Sequence, residues 1–105
     1  MVRDIVAQLV RGEYQSFVAQ FAASRLTADD LRQVIQNYGR TLILPPDPTY
    51  PDLNIVQVRG AIRPTWSIQA PLWTREEGRS DLTLELTITV DGDHRSVELE
   101  DLHVL

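Results

Sequence analysis

The 105-residue sequence contains no cysteine and no lysine. The first absence rules out disulfides, thiolate nucleophiles and cysteine-ligated metals. The second rules out a lysine Schiff base or catalytic lysine amine and leaves arginine to carry the positive charge. Long apolar runs are also missing, and none approaches the roughly 18–20 residues that span a bilayer. Met1-Val2-Arg3-Asp4 leads directly into an amphipathic pattern without a signal-peptide apolar core, so the expected location is cytoplasmic and no membrane partner is expected. A formal net charge of −5, a pI near 4.8 and the lack of a basic stripe argue against nucleic-acid binding.

What remains is an ordinary globular composition, 43% apolar and 24% charged. A chain of this length holds one core, so residues 1–105 are read as a single domain. Val2, Ile5, Val6, Leu9 and Val10 repeat at helical spacing up to Gly12, and Tyr14, Phe17, Val18 and Phe21 resume the pattern after it. A third helix starts at Thr27, with Asp30 at the capping-box position and Leu26 able to staple onto Leu31. Its core face is Leu31, Val34, Ile35 and Tyr38, Gly39 ends it, and Arg40 is placed to meet the last carbonyls.

Leu42-Ile43-Leu44 reads as a short strand before a proline-rich connector, Pro45 to Pro51. From Asn54 the period becomes two. Strands are predicted around Ile55–Val58, over Trp66–Thr74, over Leu82–Val90 and over Arg95–Leu99, with a tight hairpin at Asp91-Gly92. Leu99 and Leu102 differ in parity, which requires a bulge near Glu100 and Asp101 if both face the core. The expected fold is α+β, with two or three N-terminal helices packed on one face of a bent antiparallel sheet of about four strands.

Helices followed by a bent sheet, with Arg11-Gly12-Glu13-Tyr14 through Thr27-Ala28-Asp29-Asp30-Leu31, resemble the nuclear-transport-factor-two-like, or cystatin-like, cone fold. Pro71-Leu72-Trp73-Thr74 followed by Glu77-Gly78-Arg79-Ser80-Asp81-Leu82-Thr83 is similar to a small, uncharacterised bacterial domain family. The cone fold implies a pocket at the wide end of the sheet, lined in catalytic members by carboxylates, histidines or tyrosines. This sequence departs from that plan. Leu82, Leu84, Leu86, Ile88 and Val90 share one strand face, as do Trp66, Ile68, Ala70 and Leu72, so the inner surface carries neither acid nor base.

His94 and His103 are the only imidazoles, and neither has a partner at metal-ligand spacing, so no metal and no cofactor are expected. Trp73, Glu77, Arg79 and Asp81 form the candidate binding surface, with arginine and carboxylates as hydrogen-bonding groups and tryptophan as anchor. The competing reading is a solvated loop in which Gly78 makes the turn and Ser80 or Asp81 makes a local backbone bond. Trp66 is expected in the core and Trp73 on the outer face, beside Gln69 and the Thr83, Glu85, Thr87 and Thr89 row. That outer row suits pairing into a homodimer.

No residue stands out as catalytic. The leading function is a non-catalytic protein-interaction or ligand-binding module that meets a protein partner or a second copy of itself. The alternative is a cone-fold enzyme acting on a small molecule, in which Tyr14 or Tyr38 meets a carboxylate of the Glu76 to Asp81 loop.

Overall fold

The computed structural model describes residues 2–46 and 53–105; residues 47–52, where most of the expected proline-rich connector falls, lie outside it. Helix α1 spans Val2–Val10, α2 Tyr14–Ala19 and α3 Ala28–Tyr38. Val2, Ile5, Val6 and Leu9 form the buried stripe of α1, as their spacing predicts. The chain leaves this helix through a Schellman motif: Gly12 N–H donates to Leu9 O and Glu13 N–H to Gln8 O, both at 3.0 Å. Gly12 takes φ 74°, a conformation that a side chain would oppose. Phe21 lies beyond the end of α2 but stays in the core, meeting Phe17 edge to face at 5.0 Å.

Helix α3 carries the full capping box. Thr27 Oγ1 accepts from Asp30 N–H at 3.1 Å, and Thr27 N–H donates to Asp30 Oδ2 at 2.9 Å. Gly39 closes the helix in the left-handed conformation. Arg40 pairs with Glu77 (3.5 Å) on the far side of the domain's sequence, a tertiary contact that was not anticipated from its position after the helix.

The sheet overturns the expected architecture. Strands are β1 Ala23–Ser24, β2 Leu42–Ile43, β3 Asn54–Gln57, β4 Thr65–Thr74, β5 Gly78–Asp91 and β6 His94–Val104. They form one six-stranded sheet in the order β1-β6-β5-β4-β2, with β3 also on β4. Strand accounts for 44% of the described residues and helix for 27%, so the domain is strand-dominated with three short helices. The sheet is mixed because β1 runs parallel to β6, with Ala23 opposite Glu98 and Ser24 opposite Leu99. The expectation of about four antiparallel strands fails because two-residue strands β1 and β2 also join the sheet and β1 runs parallel, while β2 falls within the short strand read at Leu42–Leu44. Neither is long enough to show a period, and both exist through bonds supplied by a longer neighbour.

The long strands follow the sequence pattern. Leu82, Leu84 and Leu86 of β5, Ile68, Ala70 and Leu72 of β4, and Leu99 and Leu102 of β6 form one buried cluster with α1, Phe17 and Leu31. Burying each such leucine contributes roughly 1.5–3 kcal/mol. The required bulge is present: Glu85 stands opposite Asp101 and Leu86 opposite Leu99, so Glu100 is the extra residue. Trp66, expected in the core, is only half-buried.

Candidate functional site

A second irregularity, between Pro71 and Trp73, shapes the β4–β5 end where the predicted binding residues sit. Ser80 is buried there and bridges the gap, its Oγ donating to Leu72 O at 2.8 Å and accepting from Leu82 N–H at 3.2 Å. Trp73 faces Arg79 on one side and Ile43 of β2 on the other. A Cβ on Gly78 would lie 3.6 Å from the Trp73 ring, and Gly78 takes φ 77°, so this turn is built for glycine with the indole across it. Trp73, Glu77 and Arg79 therefore come together. Asp81 lies within the irregularity, between the Trp73–Arg79 and Pro71–Thr83 pairs, and its carbonyl accepts from Leu105 N–H at 3.0 Å.

The turn's two glutamates are occupied within the molecule. Glu76 accepts from Thr41 N–H (2.8 Å) and Thr41 Oγ1 (2.9 Å), and these bonds hold its carboxyl below the usual range. Glu77 accepts from Tyr38 Oη at 2.7 Å, from Thr74 Oγ1 at 3.3 Å and from its ion pair with Arg40. Burial, reinforced by Glu77, raises the Tyr38 phenol above its ordinary value. Together they fasten the β4–β5 turn to the end of α3. Tyr14 is elsewhere, with Arg32 over its ring at 5.8 Å.

At the other end of the sheet, β3 exposes all four of its residues. Ile55 and Val56 are 55% and 53% exposed, and Ile62, in the loop that follows, is fully so. Val58 N–H donates to Thr65 O at 2.8 Å, which makes Val58 and Thr65 a hydrogen-bonded pair. Antiparallel alternation then points Val56 and Asn54 at β4, and turns the N–H and C=O of Ile55 and Gln57 outward. Among the described residues no strand pairs with that outer edge.

The outer face carries a polar chain across four strands. Asn54 Nδ2 donates to Gln69 Oε1 (3.3 Å), and Gln69 Nε2 donates to Glu85 Oε1 (3.2 Å). Glu85 Oε2 in turn lies 3.6 Å from His103 Nδ1, which is 3.0 Å from Asp101 Oδ2. The sequence places Glu85 in the outer row and Asp101 beside the expected bulge, and the β5–β6 register brings both to His103. The only available signal was parity, since Glu85 shares the outer face with the threonine row. His94 pairs with Asp91 across the hairpin, and the two histidines stand on opposite ends of β6.

A family model described as a domain of unknown function, DUF7668, matches residues 6–105. The chain belongs to that family. The match supports the expected uncharacterised domain family and does not extend to the cone fold or to a bacterial source. No curated protein and no solved structure matches the chain. Among the described residues of this DUF7668 domain, no helix is long and apolar enough to cross a membrane.

Proposed function

We propose that the domain is a non-catalytic interaction module that self-associates by antiparallel pairing of β3 with β3 of a second copy. The observation that carries this reading is a strand exposed at every position, Ile55 and Val56 included, with the backbone groups of Ile55 and Gln57 directed away from the sheet. Such edges template strand addition. A two-fold pairing centred on Val56 is self-complementary. It sets Ile55 of each copy against Gln57 of the other as the hydrogen-bonded pairs, and stacks the two Val56 side chains on one face.

Parity allows this register because the opposed residues share a sheet face, whereas a one-residue slip would oppose inward and outward side chains. The contact is short. It falls among weak interfaces of less than roughly 1,200 Å² in total, so a concentration-dependent monomer–dimer equilibrium is expected. The outer threonine row lies on β5, separated from this edge by β4, and its Thr83 is already buried.

Sedimentation velocity over a wide concentration range tests the reading. Gln57→Pro removes one outward N–H and leaves the bonds to β4 in place, while Val56→Arg sets two like charges together at the two-fold axis. Wild type should dimerise with increasing concentration, and both variants should stay monomeric with unchanged circular dichroism. A wild type that stays monomeric, or a dimer that survives both changes, would overturn it.

The enzyme alternative required a tyrosine beside a carboxylate of the turn, and Tyr38 does meet Glu77. The phenol is the donor, is shifted toward its protonated form, and shares Glu77 with Arg40 and Thr74. That arrangement supports a fastening role for the pair.

A further inference from the structure

We infer that Glu85, Asp101 and His103 form a binding site for a divalent transition-metal ion of the zinc class. Each offers one ligand atom, and all three atoms lie within 4.8 Å of one another. His103 Nδ1 is buried and makes no hydrogen bond, although Asp101 Oδ2 is 3.0 Å away and Glu85 Oε2 3.6 Å away. Both carboxylates lie within ion-pair distance of this nitrogen, yet neither is aligned as a hydrogen-bond acceptor for it, which leaves a buried ring nitrogen without a directed bond. A cation accepted by all three groups satisfies it.

The geometry suits such an ion. Zinc binds nitrogen and carboxylate oxygen at about 2.0–2.1 Å, which at tetrahedral angles separates neighbouring ligand atoms by about 3.3 Å. The two separations from His103 Nδ1, 3.0 and 3.6 Å, fall on either side of that value, and the carboxylate oxygens lie within 4.8 Å of each other. One imidazole with two carboxylates is a donor set for Zn²⁺ and its first-row neighbours, and three protein ligands leave a coordination position for water or an anionic ligand.

Each carboxylate is oriented through its other oxygen. Gln69 Nε2 holds Glu85 Oε1 at 3.2 Å, leaving Oε2 toward the histidine. Leu102 N–H holds Asp101 Oδ1 at 2.9 Å, leaving Oδ2 toward the histidine. The adjacent Glu100 is drawn off by Arg25 and by Thr87 Oγ1, both at 3.0 Å. Partners of this kind fix ligands in metal sites and tune their affinity. The bulge at Glu100 is what brings Asp101 opposite Glu85, so the irregularity that keeps Leu99 and Leu102 in the core also assembles the cluster. The site lies on β5 and β6, apart from the β3 edge, and does not depend on self-association.

Isothermal titration of the full chain with ZnCl₂ in a non-chelating buffer at pH 7 tests this inference, with Co²⁺ absorption as a report on coordination. Wild type should bind one ion. His103→Ala and Glu85→Gln, each checked for folding by circular dichroism, should weaken binding at least 100-fold. Gln69→Ala should weaken it by roughly 10-fold, the lower end of the range for supporting partners. His94→Ala should change nothing. Absence of binding to wild type, binding retained by both folded ligand variants, or binding lost in His94→Ala would each overturn the assignment.

Discussion

Tyr38 at the end of α3 donates its hydroxyl to Glu77 in the β4–β5 turn, 2.7 Å away and 39 residues on in the chain. This bond and the neighbouring Glu76–Thr41 pair join the last helix to the end of the sheet where β2 docks on β4. Tyr38→Phe should therefore destabilise the domain by about 0.5–1.5 kcal/mol in urea unfolding. The phenol's raised pKa gives this contribution a direction in pH. It is present below the ordinary tyrosine value and is lost as pH rises through the higher folded-state value. The difference between wild type and Tyr38→Phe should accordingly shrink in alkali, and a constant difference would show that the bond is not its source.

Glu76 should behave in the opposite sense. Its folded-state pKa is lowered by the Thr41 backbone and hydroxyl, so its contribution is complete above the ordinary glutamate range. It is lost as pH falls through the lowered value. Stability curves of wild type and Glu76→Gln should converge on acidification. Curves that remain parallel would remove this linkage.

Ser80 is buried and serves the main chain on both sides of the irregularity at Leu72. Ser80→Ala should leave Leu72 O and Leu82 N–H without that partner and cost about 1–3 kcal/mol by chemical denaturation. A smaller loss would mean that the strands close over the gap.

Thr27→Ala removes the acceptor for Asp30 N–H and half of the capping box. A loss of about 1 kcal/mol is expected, with faster hydrogen exchange confined to the first turn of α3. Leu31→Ala, at the fully buried position of the same helix, should cost about 2–5 kcal/mol and lower the melting temperature much further.

The candidate surfaces were legible to different degrees. Trp73, Glu77 and Arg79 are neighbours in sequence, and their turn was expected. A tyrosine meeting a carboxylate of this turn was an expectation, but the choice of Tyr38 over Tyr14, and the addition of Arg40, depends on how α3 and the residues after it approach the turn, which the core sets. Exposure of Ile55 and Val56 was equally hidden. An aliphatic strand reads as buried unless one knows that it lies on the sheet's edge.

Local chemistry in the sequence determined the three helices, the capping box at Thr27, the turns at Gly12 and Gly39, the Asp91-Gly92 hairpin and the bulge beside Glu100. Each depends on residues within a few positions of one another, through helical spacing, strand parity or a glycine at positive φ. Tertiary structure alone decided that β1 and β2 join the sheet, that the sheet is mixed, and that Glu85 meets His103. A two-residue strand has no period of its own and takes its hydrogen bonds from a neighbour. A contact across strands depends on register, which is set by the whole buried face.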